Sequence, residues 1–486
     1  MKTLEQKTAL RKQRERAEIA RLEAEKARPK RKYYPIYFIF VVSIVCLVDE
    51  VTTNSGKFMG TIIADYFFDN GSAQANTIKT IVDYVIIMFS GAAMVLKPLA
   101  DRYGRKKFLV IYTLGMGLGL LIISIAHGIP GYVAGSILIQ FCIPHDIHGI
   151  YIQECAPQKK RGTYFSLCKG AATLGLIIVP LLRDILKVNV PGHSEAWRNV
   201  YFTVAVVGVV ISAVAMFLMR ESDAFIDQRL SFLYLSDEER AARAGAKNLE
   251  KQKYGIIEGL KHIFKNKQLL WLGISLGFVM CSYQLTSNYD VILKFGWAAK
   301  TVEGFRDNPV FTESMSALGN AEVNKMLYLY PVGCAFVQFF PGILADKYGR
   351  KRATTVFAVS SILTYALFYI GSVNVWNPYL LGFFIGAACG SVWSFGDLLL
   401  LMTSESVETR LRVSVNTAAV LFAGVFYGVG MGLFAIATLS GNDALIAPVT
   451  LVMSMIGLTV GSVTMFLKVK DTKNADMSTV SAGDYN

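Results

Sequence analysis

The sequence has few charged residues for its length. Only 17% of its 486 residues are Asp, Glu, Lys or Arg, and 53% are hydrophobic, whereas about 25% of a soluble domain is charged. This shortage argues against a chain built of soluble cores. The seven cysteines form no CxxC pair, so a disulfide framework is not expected. No nucleotide-binding loop is present, so ATP is not expected to be used.

Long apolar runs make up most of the chain. A helix needs about 20 mainly apolar residues to span a bilayer. About twelve runs approach that length, at 34–55, 76–98, 107–127, 130–153, 163–186, 198–219, 269–295, 324–344, 354–373, 377–402, 413–439 and 445–468. The sequence therefore predicts an all-α membrane protein with twelve transmembrane helices. The first run begins at Tyr34 behind a charged tail, which is not the pattern of a cleaved signal peptide.

Positive charge is unevenly distributed around these runs. Residues 1–32 hold twelve Lys or Arg, and further clusters follow the even-numbered runs. The opposite connections hold only isolated cations such as Lys57, Lys187 and Lys300. Excess Lys and Arg mark the cytoplasmic side, so both termini are expected in the cytoplasm. Charge this close to membrane ends favours anionic lipid, and not nucleic acid, as its partner.

The tail ahead of the first run is itself rich in charge. It alternates Lys and Arg with Glu and Ala, so it can form a helix with ion pairs between residues i and i+4. Two interpretations stay open, namely a solvated tail and a helix that touches lipid.

Parts of the chain occur twice. Two pairs of segments align, LADRYGRKKF (99–108) with LADKYGRKRA (344–353) and 151–166 with 402–417. The second pair matches Glu154 with Glu405, and the same offset brings Asp146 onto Asp397. Repeats of six spans imply a substrate site between the two halves. The predicted regions are a basic cytoplasmic tail 1–33, an N-terminal bundle 34–219, a charged cytoplasmic linker 220–267, a C-terminal bundle 268–468 and a cytoplasmic tail 469–486.

The repeated loops combine an acid, a turn glycine and several cations where two helices meet the cytoplasm. Asp101 can cap a helix start, and Gly104 permits a tight reversal. Arg105 can pair with a carboxylate such as Glu154 or Glu221. Because the pattern occurs in both halves, we expect such pairs to latch the cytoplasmic ends in one conformational state. The gating candidates are Asp101, Gly104, Arg105, Glu154, Arg161, Glu221, Asp346, Gly349, Arg350, Glu405 and Arg412.

Several motifs stand at fixed places after the predicted spans. They are D-R-x-G-R-K at 101–106 and its variant at 346–351, E-x-A-P-x-x-x-R-G at 154–162, a degraded E-S-P-R at 221–224, and Q-L-T-S-N at 284–288, which has one residue fewer than the related Q-L-[TS]-G-x-N. Together these motifs resemble those of the major facilitator superfamily, and within it the sugar porter branch. The resemblance covers residues 34–470.

The resemblance implies a major facilitator fold and alternating access by rocking of the two halves. It also implies that Gln284 and Asn288 line the cavity and that Asp49 in the first span couples protons. The sequence departs from the branch in two places. No arginine lies in the fourth span opposite the acid of the first, and Trp393 lies about two turns deeper than the branch's usual tryptophan.

A few ionisable residues lie inside the predicted spans, where they are costly and usually functional. A histidine beside an acid can pass a proton at physiological pH. The candidates for proton coupling are Asp49, Asp146, His145, His148 and Asp397. The candidates for substrate binding are Gln284, Asn288, Tyr283, Trp393 and Lys169. A structural alternative is a satisfied pair of Lys169 with a neighbouring acid, and Asp83 and Lys294 are expected to be structural or near an interface.

The fourth-span histidines and acids also raise the question of a metal. Two histidines on one helix face with a carboxylate can bind zinc. No second cluster completes the ligand set, so neither a metal nor another cofactor is expected.

These observations together predict a secondary active transporter of a small organic solute, such as a sugar, an organic acid or a related metabolite, coupled to protons. The expected partners are the solute, protons and membrane lipid, and the expected state is a monomer in the plasma membrane. The alternatives are proton-driven efflux of drug-like cations and a non-transporting receptor on the same fold, for which the tail after Lys468 is short. An intramembrane enzyme is not expected, because no nucleophile or metal set accompanies the fourth-span histidines.

Overall fold

The computed structural model is helical, and the residues that it describes contain no β-strand. These residues are 4–29, 34–68, 74–93, 104–143, 148, 151–152, 154–155, 161–193, 195–236, 238–239, 256–306, 309–407 and 412–472. Two of the proton-coupling candidates, His145 and Asp146, and the gating candidate Asp101 lie outside them.

The described helices follow the order of the predicted runs. Up to the end of the predicted linker they are α1 (Leu4–Ala27), α2 (Tyr34–Phe58), α3 (Gly60–Phe67), α4 (Ala75–Ala93), α5 (Arg105–Ile125), α6 (Ile129–Phe141), α7 (Arg161–Leu174), α8 (Ile178–Ile185), α9 (Trp197–Leu218), α10 (Asp223–Leu233) and α11 (Ile256–Lys265). A 3₁₀ turn, Gly175–Ile177, joins α7 to α8. We call α2 to α9 the N half.

The remaining helices form the second part of the bundle. They are α12 (Lys267–Cys281), α13 (Tyr289–Thr301), α14 (Glu313–Gln338), α15 (Pro341–Tyr348), α16 (Arg350–Val373), α17 (Pro378–Glu405), α18 (Arg412–Leu439) and α19 (Ile446–Lys468). A 3₁₀ segment, Ser282–Thr286, separates α12 from α13, and another, Asp443–Leu445, precedes α19. We call α12 to α19 the C half.

Ten helical stretches of the described chain are long and apolar enough to cross a membrane. They are Ile36–Phe58, Arg105–Ile125, Ser166–Ile185, Trp197–Leu218, Lys267–Thr286, Glu313–Tyr348, Arg350–Val373, Pro378–Glu405, Val415–Leu439 and Asp443–Lys468. Each corresponds to one predicted run. The other two predicted runs correspond to α4 and α6. Both of these runs, 76–98 and 130–153, include residues outside the described part of the chain. The helical membrane architecture expected from the sequence is therefore confirmed.

The seventh predicted run is not one continuous helix. Its middle forms the 3₁₀ segment Ser282–Thr286, where hydroxyl groups bond to the main chain. Ser282 Oγ donates to the carbonyl of Ser454 at 3.2 Å, and Thr286 Oγ1 donates to that of Tyr283 at 2.7 Å. Such bonds compete with the regular helical ladder. The irregular turn lies next to the polar residues that the sequence singles out.

The helix of the eighth predicted run begins earlier than that apolar run. Helix α14 begins at Glu313, because its first turns carry polar residues that bond to the N half. Asn320 Oδ1 accepts from Thr61 Oγ1 at 2.7 Å, and Asn324 Nδ2 donates to Asp184 Oδ1 at 2.7 Å. Polar groups with buried partners can sit in a bundle interior, so these asparagines do not end the helix.

The N-terminal tail is a helix, as predicted, and one face of this helix packs against the linker instead of solvent. Helix α1 packs on α10, where Leu22 is only 1% exposed among the apolar residues Phe225, Ile226, Leu230 and Leu233. Arg229 Nε donates to Glu18 Oε1 at 2.9 Å. The tail is therefore docked on the linker. Sequence reasoning missed this contact because it weighed the tail by itself.

Candidate functional site

The first repeated loop builds a compact polar cluster at the start of α5. Gly104 has a φ of 108°, which favours glycine. A Cβ there would lie 2.3 Å from Glu221 Oε2. The Glu221 carboxylate accepts from the backbone N–H groups of Arg105 and Lys106, at 3.1 and 3.2 Å. The glycine therefore lets a carboxylate reach the N-terminus of α5.

The side chain of Arg105 completes this cluster. Its NH2 and Nε atoms lie 3.1 and 3.2 Å from Glu154 Oε1. Ser222 donates its hydroxyl to the other oxygen of Glu154. The sequence predicted a pair of Arg105 with Glu154 or Glu221. In the structure Glu154 contacts the guanidinium of Arg105, and Glu221 contacts the backbone N–H groups of Arg105 and Lys106. We call Gly104, Arg105, Glu154, Glu221 and Ser222 the N-loop cluster.

The second repeated loop builds the same arrangement at the start of α16. Gly349 has a φ of 99°, and Asp471 accepts from the N–H groups of Arg350 and Lys351 at 3.2 and 3.3 Å. Arg350 contacts Glu405 through Nε and NH2 at 3.1 and 3.0 Å. We call the five residues that correspond to the N-loop cluster the C-loop cluster: Gly349, Arg350, Glu405, Asp471 and Thr472.

One further contact of the second loop has a counterpart in the first, and Asp346 adds an ion pair to the second loop. Thr472 donates to Glu405 at 2.5 Å, as Ser222 does to Glu154. Asp346 lies 3.4 Å from Arg350 NH1. The sequence analysis missed Asp471 and Thr472, although the pairs Glu-Ser after α9 and Asp-Thr after α19 were a visible signal. Arg161 and Arg412 begin α7 and α18, and their side chains lie outside the described part of the structure.

A buried acid and a histidine meet inside the N half. Asp49 of α2 is 2% exposed, and its Oδ2 lies 3.3 Å from Nδ1 of His148. Thr53 Oγ1 also donates to Asp49, at 3.1 Å. Among the described residues, His148 Nε2 has no hydrogen-bond partner. The structure thus brings together two sequence candidates that lie in different spans, and the histidine stands opposite the first-span acid.

A second charged pair joins the two halves. Lys169 Nζ of α7 lies 3.3 Å from Asp397 Oδ2 of α17. The side chain of Asp397 is 53% exposed. The structure therefore fits the pairing that the sequence left open for Lys169, and leaves the carboxylate accessible.

The interrupted seventh span supplies buried amide groups. Gln284 Nε2 lies 3.5 Å from the Gly430 carbonyl, and its Oε1 has no partner among the described residues. Asn288 Nδ2 donates to Thr450 Oγ1 at 3.1 Å and lies 3.4 Å from the Tyr84 hydroxyl of the N half. Tyr283 is half-buried, with its hydroxyl close to Gly396. Asn288 is thus at the interface between the halves.

The ring of Trp393 contacts Lys57, a residue that the sequence analysis placed in an outer connection. Lys57 was expected in an outer connection, but it lies in the last turn of α2, and its Nζ is 5.6 Å from the centre of the Trp393 ring. Helix α2 continues to Phe58, three residues past the predicted end. The prediction for Lys57 is therefore wrong, because a lysine at the end of an apolar run resembles a loop residue.

A cleft lined by residues of both halves connects several of these residues. It encloses about 680 Å³ of space between atoms, part of it open to the surroundings, and its lining includes Lys57, Thr53, Asn288 and Ser287. Lys79 also lines it and was missed in the sequence analysis, although it lies within the run 76–98.

The expected structural role of Asp83 agrees with its contacts in this cleft. Lys79 Nζ lies 2.9 Å from Asp83 Oδ2, and Tyr132 donates to Asp83 at 2.6 Å. Lys79 Nζ also donates to the Gly56 carbonyl at 2.9 Å. The pair therefore ties α2, α4 and α6 together around the cleft.

Carboxylates of the C half bond to helix N-termini of the N half on the side of the bundle opposite the repeated loops. Asp443 accepts from the N–H groups of Asn76 and Thr77 at the start of α4, at 2.8 and 2.9 Å. Asp290 accepts from the N–H of Thr61 in the first turn of α3, at 3.1 Å. We call this side the outer side. These contacts hold the outer ends of the two halves together.

Side-chain ion pairs reinforce the outer side. Lys294 Nζ lies 2.8 Å from Asp65 Oδ2, a contact that fits the structural alternative expected for this lysine. Arg183 is buried and donates to the carbonyls of Phe58 and Asn320 at 2.6 and 3.0 Å. Arg183, Asp65 and Asp443 were missed in the sequence analysis because their partners lie more than 100 residues away in the chain.

Comparison with known proteins identifies the family. The family model described as Major Facilitator Superfamily matches residues 38–317, more than half of the chain. The chain belongs to the major facilitator superfamily. The family and fold are those of transporters, not of enzymes. The family resemblance inferred from the loop motifs is therefore confirmed.

Curated relatives of this major facilitator protein include yeast sugar transporters. The galactose transporter of Saccharomyces cerevisiae is 24% identical over 205 residues, or 40% of this chain and 33% of that protein. The high-affinity hexose transporter HXT6 of the same yeast is 27% identical over 145 residues, or 28% of this chain and 25% of that protein. The matches thus span a third or less of these relatives, and they support the likeness to the sugar porter branch.

Solved structures share the fold over nearly the whole chain. A D-xylose–proton symporter aligns with a TM-score of 0.56 and 14% identity, covering 90% of this chain and 99% of that one. The Escherichia coli fucose:proton symporter aligns with a TM-score of 0.55 and 10% identity, over 90% and 99% of the two chains. These likenesses show the major facilitator fold.

Proposed function

We propose that this protein is a secondary active transporter that moves a small hydroxylated solute, of the sugar-like class, by alternating access and in symport with protons. The galactose and hexose relatives support this class of solute. The buried contact between Asp49 and His148 is the observation that carries the coupling. An acid and an imidazole at this distance can exchange a proton inside the bundle.

The coupling follows from the charge of the pair. Asp49 and His148 attract one another as ions only when the imidazole is protonated and the carboxylate is not. A proton added to the carboxylate removes that attraction and leaves a neutral acid, which suits a low-dielectric interior better. Loading a proton on one side and releasing it on the other would therefore bias the two conformations.

The two loop clusters are proposed as gates. Their arginine–carboxylate contacts hold neighbouring helix ends of each half together in the described conformation. Separation of these contacts in another conformation would let the helix ends move. Arg105→Ala is expected to change the transport rate by about tenfold, since a charge-assisted hydrogen-bonded pair contributes about 1.5–3 kcal/mol. An unchanged rate would contradict the gating role.

The remaining assignments belong to the same proposal. We place the protein in the plasma membrane as a monomer, with both termini in the cytoplasm. His145, Asp146 and the accessible Asp397 stay candidates for proton transfer. Gln284, Asn288, Tyr283 and Trp393 stay candidates for solute contact. Asp146→Asn is the variant that tests the fourth-span acid.

The test uses purified protein in liposomes. We expect counterflow of galactose or another hexose in the wild type, and accumulation driven by an inward proton gradient. Asp49→Asn should abolish the gradient-driven accumulation and retain counterflow, because only coupling is lost. Glu303→Gln, which removes an exposed outer carboxylate, serves as the control.

The outcomes separate this proposal from its rivals. Solute binding without counterflow of any solute would indicate a receptor. Proton-driven export of organic cations without sugar counterflow would indicate efflux. Full gradient-driven accumulation in Asp49→Asn would contradict coupling through this acid.

A further inference from the structure

In the part of the chain that the structure describes, four lysines lie inside the bundle, away from the loop clusters, and one of them differs from the others. Three have a carboxylate oxygen within 3.3 Å, in the pairs Lys79–Asp83, Lys169–Asp397 and Lys294–Asp65. Lys57 has no carboxylate within ion-pair distance among the described residues, and its Nζ lies over the Trp393 ring instead. A buried ammonium usually has an anionic partner.

Lys57 lies in the lining of the cleft between the halves. Thr53 lies one turn from it along α2, and Asn288 and Ser287 of the seventh span line the same space. Glu50 lies on the same helix, two turns away or about 10 Å along the axis. The ammonium therefore belongs to a residue that shares this space with hydroxyl and amide groups, while the Glu50 carboxylate acts on it from beyond ion-pair distance.

The indole ring holds the ammonium only weakly. A cation over an aromatic face gains about 0.5–2 kcal/mol, whereas a charge-assisted hydrogen bond to a carboxylate contributes about 1.5–3 kcal/mol. A solute that brings an anionic group into the cleft would therefore draw Lys57 away from Trp393. The freed ring face would then be available to the apolar side of the same solute.

We propose that Lys57 binds an acidic group of the transported solute, and that the solute is a polyhydroxylated organic acid such as a sugar acid. This inference rests on the proposed transport function and narrows its substrate class. Thr53 and Ser287, which are partly exposed in the cleft, recognise the hydroxyl groups of the solute, and Lys57 selects its charge. Lys57 is thus a specificity-determining residue.

The test measures binding by the full-length purified protein with matched acidic and neutral probes. Thermal stabilisation is titrated with galacturonate against galactose and with gluconate against sorbitol. In the wild type we expect at least one acid to bind about tenfold more tightly than its neutral counterpart, as one charge-assisted hydrogen bond predicts. Lys57→Gln should lose that preference and bind the neutral probe within about twofold of the wild type.

Two further variants keep the result interpretable. Lys57→Arg should retain the preference, since it keeps the charge. Lys325→Gln removes an exposed lysine of α14 and should leave both affinities unchanged. If Lys57→Gln is unstable, Lys57→Arg and salt competition of galacturonate against the wild type decide the question, because binding through a charge weakens as salt rises.

Three results would overturn the inference. These are equal binding of each acid and its neutral partner, a preference that survives in Lys57→Gln, and no binding of any acidic probe. Counterflow of a neutral sugar in liposomes would then leave the proposed transport function standing. Absence of counterflow for every solute would instead contradict the transport function itself.

Discussion

The N-loop cluster and the C-loop cluster share their chemistry but differ in their surroundings. In each, a glycine with positive φ admits a carboxylate to a helix N-terminus, and an arginine pairs with a second acid. Glu221 is only 6% exposed and lies beside α1 and α10, whereas Asp471 is exposed. The repeated motif therefore determines which groups are in contact, and the segments around it determine how exposed those contacts are.

Helix α1 accounts for much of this difference. Glu25 Oε1 accepts from the N–H of Glu221 at 3.0 Å, and Arg220 NH2 donates to the Lys26 carbonyl at 3.0 Å. The Arg105 guanidinium lies over the Phe225 ring of α10, at 5.6 Å. The N-loop cluster is therefore tied to the tail, whereas no described tail segment covers Asp471.

The largest expected effect is a difference in stability between alanine variants of Gly104 and Gly349. Gly104→Ala adds positive-φ strain and drives Cβ onto the buried Glu221, which cannot move aside, so we expect a loss of about 3 kcal/mol in stability. Gly349→Ala carries the same backbone strain, at least about 1 kcal/mol, but the exposed Asp471 can rotate away. Thermal midpoints in detergent compare the two variants, and equal losses would contradict the difference in burial.

A smaller effect is expected when the tail is loosened. Leu22→Ala removes a buried side chain from the contact of α1 with α10, at a cost of about 2 kcal/mol in docking. Hydrogen exchange at Arg105 and Lys106 should then rise toward the level at Arg350 and Lys351.

The control for this experiment is Ala20→Ser on the exposed face of α1. It should leave exchange unchanged. If exchange at the start of α5 is insensitive to Leu22→Ala, the tail does not support the N-loop cluster.

The smallest effect is a pH dependence of stability. Burial raises the pKa of Glu221 above its ordinary value, although backbone N–H groups of Lys106 and Ser222 lower it. The folded protein therefore binds this proton more readily than the unfolded chain, and the stability contributed by Glu221 is lost as the pH rises through the raised pKa. Glu221→Gln should therefore reduce the fall in thermal midpoint that occurs as the pH rises above ~4.5.

Asp471→Asn provides the comparison for this measurement. We expect it to change the midpoint less than Glu221→Gln does, because Asp471 is exposed. An equal change in both variants would mean that burial does not distinguish the clusters.

Local patterns predicted the helices and the loop clusters well. Apolar runs indicated where the spans lie, and the repeated decapeptide located Gly104 and Gly349 correctly as turn positions. Both depend on neighbours within a few residues along the chain. The bounds failed where polar residues find partners in another helix, as at Asn320 of α14.

Contacts between distant segments could not be read in the same way. The sequence offered Asp49 and His148 separately, but nothing in the spacing indicated that they meet. Lys57 looked like a loop residue because hydropathy does not reveal an aromatic ring on the other half. The capping of α4 by Asp443 likewise depends on how the two halves approach one another.

The place of each carboxylate along the chain has a consequence for biosynthesis. Glu221 follows directly after α9, so the N-loop cluster can close, and α1 can dock, while the C half is still being translated. Asp471 comes after α19, so the C-loop cluster must wait until its last helix has emerged from the ribosome. Domains generally mature in the order of synthesis. The N half can thus form its loop cluster before the C half does, because the C half must wait for α19 and Asp471.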